Sequence, residues 1–107
     1  MAKKTNLRTI KNIVKKYALL LKENIKVKNV YLFGSYADNR ANKYSDIDVA
    51  VISDKFSGDP VDDMVVYLMR FCDGIDLRIE PHPFTTKDFK KSNPFVNEII
   101  KKGIKIL

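Results

Sequence analysis

The chain has one cysteine, one histidine and no tryptophan among its 107 residues. A lone Cys72 excludes an internal disulfide, and with His82 as the sole imidazole no Cys/His zinc cluster can be assembled. Any histidine chemistry would fall to His82 alone, and its setting between Pro81 and Pro83 reads as a rigid loop residue near a ligand, not a general base. Long apolar runs are missing too. The apolar segments are far shorter than the ~20 residues a membrane-spanning helix needs, and the first residues lack the apolar core of a signal peptide. The expected setting is therefore reducing and cytoplasmic, with no membrane contact. Four glycines and four prolines leave no low-complexity linker, and there is no internal repeat. The length suits one compact domain over residues 1–107, without room for a large second substrate-binding domain.

Acidic charge is scarce at the two ends and concentrated between them. Residues 1–28 carry nine Lys/Arg and one acid, residues 87–107 carry six and two, and residues 29–86 carry five and ten, for a net charge of +7. A nucleic-acid-binding module would couple such basic flanks to clustered, base-stacking aromatics, which the flanks lack. Direct nucleic-acid binding is therefore not expected. The flanks read as solvated surface, with a negatively charged protein partner as the other reading. The acidic middle instead suits a divalent metal.

That middle contains an ordered constellation. Val30-Tyr31-Leu32-Phe33 is too short and too uniformly apolar for an amphipathic helix, so it reads as a buried strand that empties into a turn at Gly34. Glycine there lets the backbone bend sharply and lets a ligand approach. Ser35 is expected to open a short helix, Tyr36 to about Arg40, whose free N–H groups favour a phosphate. Ten residues after Ser35, Asp46-Ile47-Asp48 opens a second strand. Residues two apart on a strand share a face, so Asp46 and Asp48 point together while Ile47, Val49 and Val51 pack behind them. Two adjacent carboxylates repel unless a cation joins them, and Mg²⁺ is commonly held by one or two carboxylates plus substrate phosphates. A phosphate turn followed by a metal-binding strand is the arrangement of phosphoryl or nucleotidyl transfer.

Gly34-Ser35, ten residues, then Asp46-x-Asp48, in a strand–turn–helix–strand context, resembles the signature of the DNA polymerase β-like nucleotidyltransferase superfamily. The short length is similar to that of its minimal nucleotidyltransferases, often paired with a HEPN (higher eukaryotes and prokaryotes nucleotide-binding) partner in prokaryotic toxin–antitoxin modules. The resemblance covers about Val27 to Phe84. It implies an α/β fold with a mixed sheet covered by helices, and transfer of AMP from ATP to a hydroxyl with two Mg²⁺ ions. Asp46 and Asp48 would then be catalytic metal ligands, joined by a third acid from a neighbouring strand. Gly74 to Glu80 alternates in the manner of a strand, and Asp76 takes the third position there; Glu80, just before Pro81, is the fallback and the salt-bridge partner of Arg78. Gly34, Ser35 and Arg40 would contact the nucleotide. Where the family commonly has a basic residue and then glycine, this chain has Asp38-Asn39, with Arg40 and Lys43 following. Asparagine tolerates the left-handed backbone that glycine would supply, so the turn is expected to persist.

The resemblance further implies that the acceptor is a tyrosine of a cognate HEPN ribonuclease, so that adenylylation silences a toxin and the chain acts as antitoxin in a hetero-oligomer. Self-association is a second expectation, because so small a domain with an open acidic edge does not enclose a base and an acceptor. Two other readings stay open. One is a non-catalytic antitoxin that acts by binding; the other is the catalytic subunit of a two-protein transferase for a small molecule or RNA.

Flanking elements complete the expected fold. A helix from Thr5 to about Asn24 carries Ile10, Val14, Tyr17 and Leu21 at helical spacing. A helix starting near Asp59 or Pro60 has Val61, Met64, Val65, Leu68, Met69 and Cys72 as its buried stripe, with Cys72 a small core residue. A last helix runs from Asn93-Pro94 to a stop at Gly103. The first two helices should share one face of the sheet.

Overall fold

The computed structural model describes residues 6–42 and 44–107. Thr5, the expected start of the first helix, and Lys43 lie outside the described residues. The helix α1 spans Leu7–Asn24, capped by the Asn6 side chain, which accepts from the Arg8 N–H. Strand β1 is Asn29–Phe33 and β2 is Ile47–Ile52. Helix α2, Pro60–Asp63, continues as a π turn over Met64–Leu68 and a 3₁₀ turn over Met69–Phe71. Then come β3, Ile79–Phe84, α3, Pro94–Lys102, and β4, Ile104–Lys105.

The four strands form one mixed sheet in the order β3-β2-β1-β4. β1 is antiparallel to both β2 and β4, and β2 runs parallel to β3. Alternation along the strands decides which element covers which face. Ile47, Val49 and Val51 of β2 join Val30, Leu32 and Ile79 in a core with Ile10, Val14, Tyr17 and Leu21 of α1 and with Leu68 and Cys72. The opposite face carries Ala50 and Ile52, which meet Ile99 of α3 and the rings of Tyr31, Phe33, Phe84 and Phe89. The expected α/β architecture, with the first helix and the 60–72 segment on one side, is the one observed. Among the described residues no helix is long and apolar enough to cross a membrane.

Two expectations are corrected. The third strand is not Gly74–Glu80: residues 72–78 are mostly turns, and Leu77, on the apolar side of that alternation, is 80% exposed. The strand lies further on and runs through Pro81 and Pro83. Those prolines are tolerated because β3 is an edge strand. The Ile47 N–H donates to the Arg78 carbonyl at 2.8 Å and the Ser53 N–H to the Phe84 carbonyl at 3.0 Å, so the even-numbered residues face β2. Pro81 and Pro83 therefore place their missing N–H groups on the open side, where no partner is needed. The second correction concerns the 60–72 helix. Only Leu68 and Cys72 of the expected stripe are buried; Val61, Val65 and Met69 are exposed. The wider π turn rotates the following residues out of register with a regular 3.6-residue face.

Asp63 replaces them on the inward side. It is 2% exposed and accepts from the Ser57 N–H, the Ser57 hydroxyl and the Gly58 N–H at 2.8, 2.9 and 3.1 Å. One carboxylate thus closes the loop that brings α2 back to the sheet. Asp63→Ala would orphan three donors and is expected to cost about 2–3 kcal/mol, measured as a lowered urea midpoint. Cys72 is a core thiol as anticipated: burial pushes its pKa up, and its thiol is set against the Leu68 carbonyl.

Candidate active site

The site begins where β1 stops. Gly34 adopts φ +77°, and a Cβ there would overlap a carboxylate oxygen of Asp48 and stand 3.2 Å from its carboxyl carbon. Two separate requirements therefore select glycine, a left-handed backbone and the space for Asp48 to lie against it. The expected helix from Tyr36 is absent. Residues 34–39 form turns, closed by the Asp38 N–H to the Gly34 carbonyl at 3.0 Å and the Arg40 N–H to the Ser35 carbonyl at 2.8 Å. Asn39 supplies φ 60°, the left-handed conformation anticipated for it. The element expected to face a phosphate is thus a wound turn instead of a helix start. Ser35 sits in it half-buried, while Arg40 is spent on an ion pair with Asp38 at 2.8 Å and is well exposed.

Register places the acids. Phe33 pairs with Asp48 on one side, and Asp48 pairs with Glu80 on the other. Directly paired residues share a face, so Asp48 and Glu80 stand side by side across the β2–β3 ladder. Ligand atoms of Asp48, Glu80 and His82 all lie within 4.8 Å of one another. His82 Nε2 is 3.2 Å from Asp48 Oδ1, and the imidazole packs edge-on against Phe33 with centroids 5.0 Å apart. Asp46 is exposed one residue ahead of β2 and interacts with the Glu80 carboxyl. Partial loss of water raises the Glu80 pKa; the Asp48 charge adds to this, His82 opposes it, and the hydrogen bond and charge of Asp46 add again. A carboxyl crowded by two others is the electrostatic demand that a divalent cation relieves. The oxygen-rich donor set fits Mg²⁺, with His82 as an additional nitrogen beside it.

Asp76 is not part of this cluster. It precedes β3 in the turn and is held by Arg78 in a two-pronged pair, Nε to Oδ1 at 3.0 Å and Nη2 to Oδ2 at 2.9 Å. The Arg78 Nη1 reaches the Tyr36 hydroxyl at 3.3 Å, and that hydroxyl donates to the Asn42 carbonyl at 3.0 Å. The chain Asp76–Arg78–Tyr36–Asn42 ties the turn after β1 to the approach of β3. Arg78 thus belongs to Asp76, not to Glu80. Its hydrogen bonds hold the Asp76 carboxyl below its usual pKa. A depressed folded-state value makes the contribution fully present above the unfolded pKa and lost as pH falls through the folded one. Asp76→Asn is therefore expected to cost about 1–2 kcal/mol at pH 7 and almost nothing in strong acid, read from urea unfolding at the two pH values.

Sequence reasoning missed His82 as a member of the cluster and ranked Glu80 second. The signal was present in Ile79-Glu80-Pro81-His82-Pro83-Phe84, where two polar side chains alternate with Ile and Pro. The prolines concealed it by reading as a strand terminator.

The sequence profile of the family described as Polymerase beta, Nucleotidyltransferase matches residues 9–107. Two proteins of Methanocaldococcus jannaschii, each named "putative protein adenylyltransferase", are 50% identical to this chain over 42 residues. The match covers 39% of this chain, with 43% of one relative and 49% of the other, so it spans about half the length of those relatives or less. The fold is similar to a crystal structure titled as a putative nucleotidyltransferase from Sulfolobus solfataricus. That likeness has a TM-score of 0.68 and 17% identity, and covers 92% of this chain and 80% of that one.

Proposed function

This chain belongs to the polymerase beta nucleotidyltransferase family, and from that membership we propose that it moves a nucleoside monophosphate, AMP from ATP, onto a hydroxyl of a partner protein. The observation that carries the reading is the meeting of Asp48, Glu80 and His82 beside the Gly34 turn. Residues 1–107 are read as one minimal nucleotidyltransferase domain. Asp46, Asp48 and Glu80 would hold the metal, with Glu80 taking the place first assigned to Asp76. When bound, two Mg²⁺ ions would neutralise the triphosphate and steady both the entering and the leaving oxygen.

The protein's own groups have distinct tasks. The Gly34-Ser35 turn offers backbone N–H groups and a hydroxyl to the β- and γ-phosphates. Asp48, held by His82 and by the space at Gly34, orients the acidic cluster. Glu80, at the outer edge and with its pKa raised, is suited to receive the acceptor's proton. Arg40 would reach the nucleotide only by giving up Asp38. Following the family resemblance, the acceptor is a tyrosine of a HEPN-type ribonuclease, and its adenylylation makes this chain an antitoxin within a hetero-oligomer.

The test is to incubate the chain with α-labelled ATP, Mg²⁺ and the protein encoded by the adjacent gene. Label on a tyrosine of that protein is the expected result. Neutralisation of the partner's toxicity without label, and equally well by Asp48→Asn, would instead establish inhibition by binding. Label on an RNA or small molecule would make the chain the catalytic subunit of a different transferase. Glu80 adds a sharper expectation. Because its folded-state pKa is raised, ionised Glu80 costs stability that is present below the unfolded pKa and lost as pH rises through the folded one. Glu80→Gln should therefore raise the melting temperature at pH 7 without metal, while lowering transfer by on the order of tenfold to a hundredfold.

A further inference from the structure

The β2–β3 ladder begins at the Ile47–Ile79 pair, so it fixes Asp48 opposite Glu80 and leaves the exposed Asp46, one residue earlier, outside the pairing. The hydrogen bonds around Tyr36 are placed to hold that acid. Tyr36 follows Ser35 directly, is 4% exposed and belongs to the same core cluster as Ile47 and Ile79. Its hydroxyl donates to the Asn42 carbonyl at 3.0 Å. That carbonyl also accepts from the Ser45 N–H at 3.1 Å, and the Asn42 N–H donates back to the Ser45 hydroxyl at 3.0 Å. Ser45 is the residue before Asp46. A further contact, Arg78 Nη1 to the Tyr36 hydroxyl at 3.3 Å, comes from the residue whose backbone carbonyl receives the Ile47 N–H at 2.8 Å. The hydroxyl thus stands where three segments meet: the Gly34-Ser35 turn, the approach to Asp46 and the approach to Glu80.

We propose that the Tyr36 hydroxyl, steadied by Arg78, is the positioning group that sets Asp46 against Asp48 and Glu80 for joint binding of a divalent cation. The inference rests on the transferase reading and adds what aligns the one acid that the ladder leaves unsupported. Tyr36 touches neither the metal nor the nucleotide; it acts through the turn that ends at Ser45. A carboxylate free to swing into solvent gives up that freedom on gripping an ion, and the loss weakens binding. One held in place by its neighbours gives up little, which is why groups that orient metal ligands matter to affinity.

The fold itself makes little demand on this oxygen. The ring fills its place in the core with or without it. When the hydroxyl is removed, the Asn42 carbonyl keeps the Ser45 N–H, and Arg78, a third exposed and still held by Asp76, turns its freed N–H to water. No buried group is orphaned, so Tyr36→Phe isolates the positioning effect from folding.

The experiment measures binding of Mn²⁺ with ATP, by electron paramagnetic resonance, to the full chain, to Tyr36→Phe, to Asp46→Asn and to the double variant. Tyr36→Phe is expected to weaken binding about fivefold to tenfold, and to add less than about twofold once Asp46 is already Asn. Wild-type affinity in Tyr36→Phe would overturn the proposal. So would an equal loss in the Asp46→Asn background, since the hydroxyl would then act on the fold at large, and so would wild-type affinity in Asp46→Asn, which leaves no ligand to position. ¹⁵N relaxation of the metal-free chain keeps this claim apart from the transferase reading: Tyr36→Phe should lower the order parameter of the Asp46 amide and leave that of Asp48 unchanged. An unchanged Asp46 amide in a chain that binds Mn²⁺ with ATP sinks the positioning role alone, and a wild-type chain that binds no Mn²⁺ with ATP sinks the transferase reading.

Discussion

Asp48→Asn is expected to lower nucleotidyl transfer by about 10³-fold or more while leaving the fold intact. Asp48 joins three parts of the site: it pairs with Glu80 across the ladder, meets His82 Nε2 at 3.2 Å and fills the space left by Gly34. On the proposed mechanism, removing its charge would take away a central ligand of the metal, and metal-based charge stabilisation amounts to several kcal/mol, of which ~4 kcal/mol corresponds to about 10³ in rate. The stability change should stay within about 1 kcal/mol, because the lost His82 contact is partly exposed and is offset by relief of repulsion at Glu80. That relief has its own signature. With Asp48 neutral, the Glu80 pKa should move back toward its ordinary value, followed by carboxyl-carbon NMR. A full-rate Asp48→Asn enzyme would remove the basis for the site.

Gly34→Ala is expected to be the most damaging change outside the acids. The left-handed backbone at φ +77° costs an alanine about 1–2 kcal/mol. Its methyl group also enters the space of the Asp48 carboxylate, which cannot retreat without leaving Glu80 and His82. The expected sum is about 2–4 kcal/mol of stability, with transfer lowered by about 10² or more even where the protein is folded, since a displacement near 1 Å at a reacting group has that effect. Thermal unfolding with transfer assayed well below the midpoint separates the two losses. Gly58 makes a useful control: it has φ +98° but open space around it, so Gly58→Ala should show the backbone cost without the loss of transfer.

The legible and illegible parts of this chain divide along a physical line. β1, the Gly34 turn and β2 could be read because an uninterrupted apolar run, a glycine and a buried alternation are local properties, and the position of Asp48 near the start of β2 follows from them. The left-handed Asn39 was readable for the same reason. β3 was not, because only its position at the sheet edge makes Pro81 and Pro83 acceptable, and that position depends on pairing with residues some thirty positions earlier. The alternation of Ile75, Leu77 and Ile79 offered a false strand in its place, and Asp76 was set on it, whereas the residue that pairs with Asp48 across the ladder is Glu80. Its actual partner, Arg78, is two residues away and was assigned to Glu80. The π turn after α2 and the two-residue β4 leave almost no local trace, since one depends on helix packing and the other on β1 being available beside it.

The identity of the acid that completes the cluster decides what the site can bind. The most direct measurement is equilibrium binding of Mn²⁺, as a spectroscopically visible divalent ion, in the presence of ATP to the wild-type chain and to Asp48→Asn, Glu80→Gln and Asp76→Asn. Strong loss of binding in the first two variants, with Asp76→Asn close to wild type, is the predicted result. Loss in Asp76→Asn with Glu80→Gln unaffected would contradict the site described.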